Sequence, residues 1–281
     1  MNKFPALDPA SIVVTRDALH AYARILGDWL KSTRSRRKHW WHASLRPSLT
    51  GLTTGVIHSN IDFEIELDLH ASALRVSVSS GERMCEQLHG QSANQVAASI
   101  RSFLESVGVS AKPEGIAADG DTASAAVFSG YSAETAKDLA SALGAVSAAL
   151  VDFRAGIREE SSPIQVWPHH FDLSMIWLPG HKVPDQDPAD EEYADKQMNF
   201  GFVFGDESFA EPYFYVTAYP LPEAVSKVEL PAASTWKSEG FNGAVLLYKD
   251  LLAVDDPAAY LLELWTTLLV AGQTHLASEE N

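Results

Sequence analysis

The chain has 281 residues, enough for one large domain or two modest ones whose core needs no disulfide or metal staple. Acidic residues outnumber basic ones 37 to 21, a formal net charge of −16, which excludes a broad nucleic-acid surface built on clustered lysine and arginine. Cys85 has no partner for an internal disulfide, no apolar leader opens the chain, and no apolar run reaches the ~18 residues of a membrane span, so a cytoplasmic protein without membrane contact is expected.

Leu19, Tyr22, Leu26 and Trp29 recur at helical spacing and predict a helix over 16–30. Behind it, Lys31, Arg34, Arg36, Arg37 and Lys38 put five cations in eight residues. They read as a solvated loop complementing the helix C-terminus or as an anion contact. Trp40 to Leu49 is expected as a strand. Residues 61–69 alternate apolar and acidic side chains, which predicts a half-buried antiparallel strand with Asp62, Glu64, Glu66 and Asp68 on a solvated face. Further strands are expected at 74–78 and 84–88. Ser92 caps a second helix with a stripe of Val96, Ile100, Phe103 and Val107, and Gly108 stops it.

Residues 110–130 have no period and read as a long connection. Ser132 caps a helix over 133–157 with a seam of Leu139, Leu143, Val146, Leu150, Phe153 and Ile157. Strands follow at 164–167 and 169–177, then a loop over 182–192 and strands at 213–219 and 244–248. Asp256 and Pro257 open a last helix to about 271, with Gly272 as its stop. The pattern is α+β: mostly antiparallel sheet packed by about four main helices, in a single domain. Two segments, 15–108 and 131–272 around a linker 109–130, run through similar element orders, as a duplicated chain would.

Chemistry concentrates in two short stretches, Lys38-His39-Trp40-Trp41-His42 and Val166-Trp167-Pro168-His169-His170-Phe171-Asp172, which hold four of ten histidines and three of seven tryptophans. On strands, alternate residues share a face, so His170 and Asp172 stand about 6.6 Å apart along one side. His42 shares a face with Trp40, Ser44 and Arg46. His39 and His169 fall with apolar neighbours, as core residues would. His42, His170 and Asp172 are therefore the candidate catalytic set. Three readings stay open: polar packing, a metal-free general base oriented by a carboxylate, or a divalent metal held by two imidazoles and a carboxylate. Residues 193–219 carry nine aromatics in 27 residues, with Asp206, Glu207 and Glu211 among them. This segment reads as core or as a stacking wall for a flat or sugar ligand. Trp40, Trp167, Tyr193, Asn199, Tyr213 and Tyr215 are the candidate ligand-binding residues. No nucleotide, hydrolase-elbow or zinc-protease motif is present.

The stretches Arg37 to Arg46, Ser162 to Leu173, Asp187 to Phe202, Glu211 to Tyr215 and Ala218 to Pro220 resemble an uncharacterised bacterial family, domain of unknown function 5996. The resemblance runs over about residues 15–272. It makes these stretches landmarks of a fold and implies no established activity. The expected function is a small-molecule-binding protein, with hydrolysis as the enzymatic version; the alternative is an interaction protein in which the His/Trp stretches are core.

Overall fold

A computed structural model describes residues 4–113, 125–190, 192–206 and 209–277. The chain divides into two compact units. One comprises Ala10–Gly144 and Val166–Phe171, the other Met1–Pro9, Ala145–Gln165 and Asp172–Asn281. We call them the N-terminal and C-terminal units. The architecture is α+β, with two mostly antiparallel sheets and, among the described residues, four long helices.

In the N-terminal unit, helix α1 spans Pro9–Thr33. It is longer at both ends than the periodicity suggests, and Leu19, Tyr22, Leu26 and Trp29 are all buried. Its sheet has the order β1 (Arg46–Pro47), β2 (Gly51–Thr53), β3 (Phe63–Asp68), β4 (Ala73–Val78) and β5 (Arg83–Gln87), antiparallel throughout. Phe63, Ile65 and Leu67 point into the core, as alternation requires, and Trp29 meets Phe63 edge-on at 5.4 Å. The acidic side of β3 is less solvated than expected. Ser48 Oγ donates to Glu66 at 2.7 Å, Thr53 Oγ1 donates to Glu64 at 2.5 Å, and Asp68 is buried against Arg75 Nε at 2.9 Å. Helix α2 (Ala93–Ser106) opens on a capping box between Ser92 and Gln95. Its buried stripe runs Val96, Ile100, Leu104; Phe103 and Val107 are only half-buried. Of the expected connection, residues 114–124 lie outside the described residues.

Helix α3 spans Ala133–Ala155, and the division between the units falls within it. Ser132 Oγ accepts from the Thr135 amide at 3.1 Å. Leu139, Leu143, Val146, Leu150 and Phe153 are buried as the seam predicts.

The C-terminal unit is built on the strand order β11-β12-β10-β9-β8-β6: Thr235–Lys237, Gly243–Leu247, Tyr213–Tyr219, Gln197–Val203, Asp172–Leu178 and Glu160–Ser161. β7 is Gln165–Trp167. All pairs along this order are antiparallel. One face carries Leu173, Met175, Trp177, Phe200, Phe202 and Phe214. Helix α3 and helix α6 (Pro257–His275) cover it: Phe153 lies 4.8 Å from Phe200 and 5.4 Å from Trp265, and Trp265 lies 6.3 Å from Phe214. The short helices α4 (Glu223–Ser226) and α5 (Tyr248–Leu252) complete the unit. Asp256 caps α6 by accepting from the Ala259 amide. Gly272 does not stop this helix, which continues to His275. A Cβ at Gly272 would collide with Met198 Sδ, so this glycine lets α6 approach β9.

Candidate functional site

In the N-terminal unit the two His/Trp stretches meet. Leu45 and Val166 exchange backbone hydrogen bonds at 2.9 and 3.0 Å. Their local structure differs from the expected strands, and the face assignments change with it. Lys38–Ala43 is a 3-10 turn with His39 at φ 51° and Trp40 at φ 56°. Left-handed backbone at two consecutive non-glycine residues breaks the extended register that alternation assumes. His39 stacks on Trp41 at 5.9 Å and Trp40 on His42 at 5.6 Å. His42 is buried, and its Nδ1 accepts from the Arg37 amide at 3.2 Å, so the neutral ring carries its proton on Nε2. Trp40 is half-buried beneath Arg36 and Lys31, which lie 4.7 and 5.8 Å from the ring. Arg46 packs near Arg34 and Arg37; burial first, then these two cations, push its pKa down to about 10.

The second stretch ends β7, turns over 168–171, and enters the next strand only at Asp172. The Trp167 carbonyl accepts from the Phe171 amide at 2.7 Å, and Phe171 sits at φ 56°. His170 therefore does not share a strand face with Asp172. Pro168 packs on Gly27 of α1, where a Cβ would come within 2.6 Å of Pro168 Cβ. His20 Nε2 bonds the His169 carbonyl at 3.1 Å, and its ring stacks on Phe171 at 5.5 Å. The rings of His169 and His170 lie 4.4 Å apart, and Trp167 meets His169 at 5.9 Å. His169 reaches solvent, yet desolvation, then His170, His20, Arg24 and Lys31, pull its pKa down to about 4. Desolvation is also the main cause of the lowered His20 pKa.

The C-terminal unit gathers four of the remaining candidates. Directly paired residues of neighbouring strands share a face. The registers Asp172↔Val203↔Tyr213, Ser174↔Gly201↔Tyr215 and Ile176↔Asn199↔Thr217 put Asp172, Asn199, Tyr213 and Tyr215 together, on the face opposite α3 and α6. Gly201 makes their contact possible. A Cβ there would run into the Tyr215 ring, so the bare strand lets the ring cross β9 and donate its hydroxyl to Asp172 Oδ2. Burial of the phenol, then the Asp172 carboxylate, raises the Tyr215 pKa well above its ordinary value. Tyr213 donates to Asp206 Oδ2 at 2.7 Å; burial, then this bond, raises its pKa too. Asn199, Tyr215, Thr217 and Tyr219 are half-buried, whereas Asp172 is 5% exposed. At one end of the face, exposed Tyr193 meets Tyr219 at 4.9 Å, and Gln186 Nε2 donates to the Tyr219 hydroxyl at 3.1 Å. Glu207 of the expected acidic–aromatic cleft lies outside the described residues. Gly201 and Thr217 were not foreseen as members, whereas Tyr219 belongs to the expected aromatic wall; the alternation Asn199, Gly201 opposite Thr217, Tyr215 was the available signal.

Thus His42, Trp40, Trp167 and His170 belong to the N-terminal unit, and Asp172, Tyr193, Asn199, Tyr213 and Tyr215 to the C-terminal unit. Among the described residues no group of three or more His, Cys, Asp and Glu side chains is arranged to hold a metal ion. No helix among them is long and apolar enough to cross a membrane.

Two antiparallel sheets packed by long helices, with a polar and aromatic sheet face, define an α+β protein. The chain belongs to the family of unknown function DUF5996, whose model matches residues 4–278. No curated protein and no solved structure matches it.

Proposed function

We propose that the protein binds a small molecule on the sheet face that carries Asp172, Asn199, Tyr213 and Tyr215. The observation that supports this most is the Tyr215 ring laid over Gly201 and tied to Asp172. A glycine in a strand interior weakens the strand, and here it holds a polar aromatic pair at a face whose neighbours Asn199 and Thr217 are half open. Tyrosine rings offer apolar area with a polar tip, and the amide and hydroxyl groups beside them fix orientation. Carboxylate acceptors at Asp172 and Asp206 favour a neutral or cationic ligand that bears hydroxyl or amine groups.

Binding is favoured over hydrolysis at this face. The Tyr215 phenol is held protonated and donates, while one Asp172 oxygen already accepts from it. Exposed Cys85, free of any disulfide, supports a cytoplasmic setting.

A thermal-denaturation screen against a metabolite panel tests the reading. A ligand of the native state at one hundred times its Kd adds about 2.7 kcal/mol of stability. At least one neutral or cationic metabolite is expected to stabilise the wild type and to do so less in Tyr215→Phe. No stabilisation by any compound, or equal stabilisation of both proteins, would contradict it.

A further inference from the structure

The N-terminal unit carries a second group of side chains that the sheet face does not use. His20, Arg24, Gly27 and Lys31 recur at spacings of four, three and four along α1 and so share one side of the helix. The turn 168–171 is seated on that side at three points: Pro168 against Gly27, the His169 carbonyl on His20 Nε2, and Phe171 stacked on the His20 ring. Seated this way, the turn leaves His169 and His170 exposed, with Arg24 and Lys31 within electrostatic range of His169, in contrast to the buried His39 and His42.

The charge around this group is unusual for the chain. Acids outnumber bases 37 to 21, yet among the described residues neither Arg24 nor Lys31 has a carboxylate within ion-pair distance. Asp28 lies between them on the helix and is half-buried; burial raises its pKa, and the charges of Arg24 and Lys31 act against that rise without an ion-pair contact. Asp17, the other acid near His20, is paired with Arg16 at 2.8 Å. Lys31 rests on the Trp40 ring at 5.8 Å, with Arg36 on the same ring. Burial first, then the charges of His170, His20, Arg24 and Lys31, lowers the His169 pKa, so these cations stand within electrostatic range of the exposed imidazole.

We propose that Arg24, Lys31, His169 and His170 form a binding site for the phosphate group of a small molecule. A guanidinium fork, an ammonium point charge and two imidazole N–H donors supply the charge-assisted bonds that a phosphate accepts. Trp40, under Lys31, and Trp167, against His169, flank the group with aromatic surface for the remainder of the ligand. The residues differ from those of the sheet face, so either reading fails without the other.

The test is an NMR titration of the histidine side chains with inorganic phosphate, at fixed pH 7 and fixed ionic strength set by sodium chloride. The His169 and His170 resonances are expected to shift saturably, with an apparent Kd on the order of 1 mM or tighter. Arg24→Gln with Lys31→Gln is expected to weaken this at least tenfold while leaving the amide spectrum folded; both side chains are exposed. His169→Gln, at a second element, is expected to weaken it as well. A linear, unsaturable drift, binding unaffected by these substitutions, or acetate binding as tightly as phosphate would each overturn the assignment.

Discussion

Gly201→Ala places a methyl group inside the space of the Tyr215 ring, because the two residues are direct partners across β9 and β10. Three contributions set the size of the effect. An alanine in a strand gains roughly 0.5–1 kcal/mol over glycine by lowering the entropy of the unfolded chain. Overpacking costs about 1–3 kcal/mol. If the ring swings away, the hydroxyl leaves buried Asp172, and a hydrogen bond to a charged group is worth about 1.5–3 kcal/mol. The balance is a loss of roughly 2–5 kcal/mol. At about 2–4 °C per kcal/mol for domains of 150–250 residues, the midpoint should fall by about 4–20 °C. Thermal and urea denaturation of the full chain measure it. Repeating the substitution in a Tyr215→Ala background supplies the control. With the ring gone the three nearest contacts of the methyl group are removed, so Gly201→Ala should become neutral or slightly stabilising. An equal loss in both backgrounds would refute the idea that this glycine exists to accommodate Tyr215.

Four other outcomes are expected. Gly27→Ala should destabilise by about 1–3 kcal/mol against Pro168, while Gly144→Ala, with nothing within 4 Å of its added Cβ, should stabilise by about 0.5–1 kcal/mol; paired denaturation curves read both. Ser92→Ala should cost about 1 kcal/mol through loss of the α2 capping box, seen as a lower urea midpoint at unchanged slope. The folded-state pKa of His20 is depressed below its ordinary 6.5, so the unfolded chain binds more protons as pH falls through that value and stability declines from about pH 6.5 downward. Comparing denaturation at pH 7.5 and 5.5 for the wild type and His20→Gln checks this; an unchanged pH slope in the variant would contradict it.

The long amphipathic elements were legible because their cause is local. The α3 seam, the capping residues Ser92, Ser132 and Asp256, and the alternation of β3 each follow from burying one face of one element. The His/Trp stretches were legible as landmarks but not in shape. Left-handed residues at His39, Trp40 and Phe171 turn apparent strands into turns, and no residue type there announces that geometry as glycine would. Gly272 was misread for the converse reason: it resembles a helix stop until Met198 arrives from another element. The grouping of Asp172 with Tyr215 depends on the register of three strands, which alternation within any one of them leaves open.

Calorimetric titration of the most stabilising metabolite against the wild type, Asn199→Ala and Tyr215→Phe tests the central proposal most directly. Asn199 lies on the proposed face, half open and outside the core. Both substitutions are expected to weaken binding about tenfold or more, at least ~1.4 kcal/mol, in proteins that remain folded. Unchanged affinity in both variants would place the ligand elsewhere and contradict the sheet-face site.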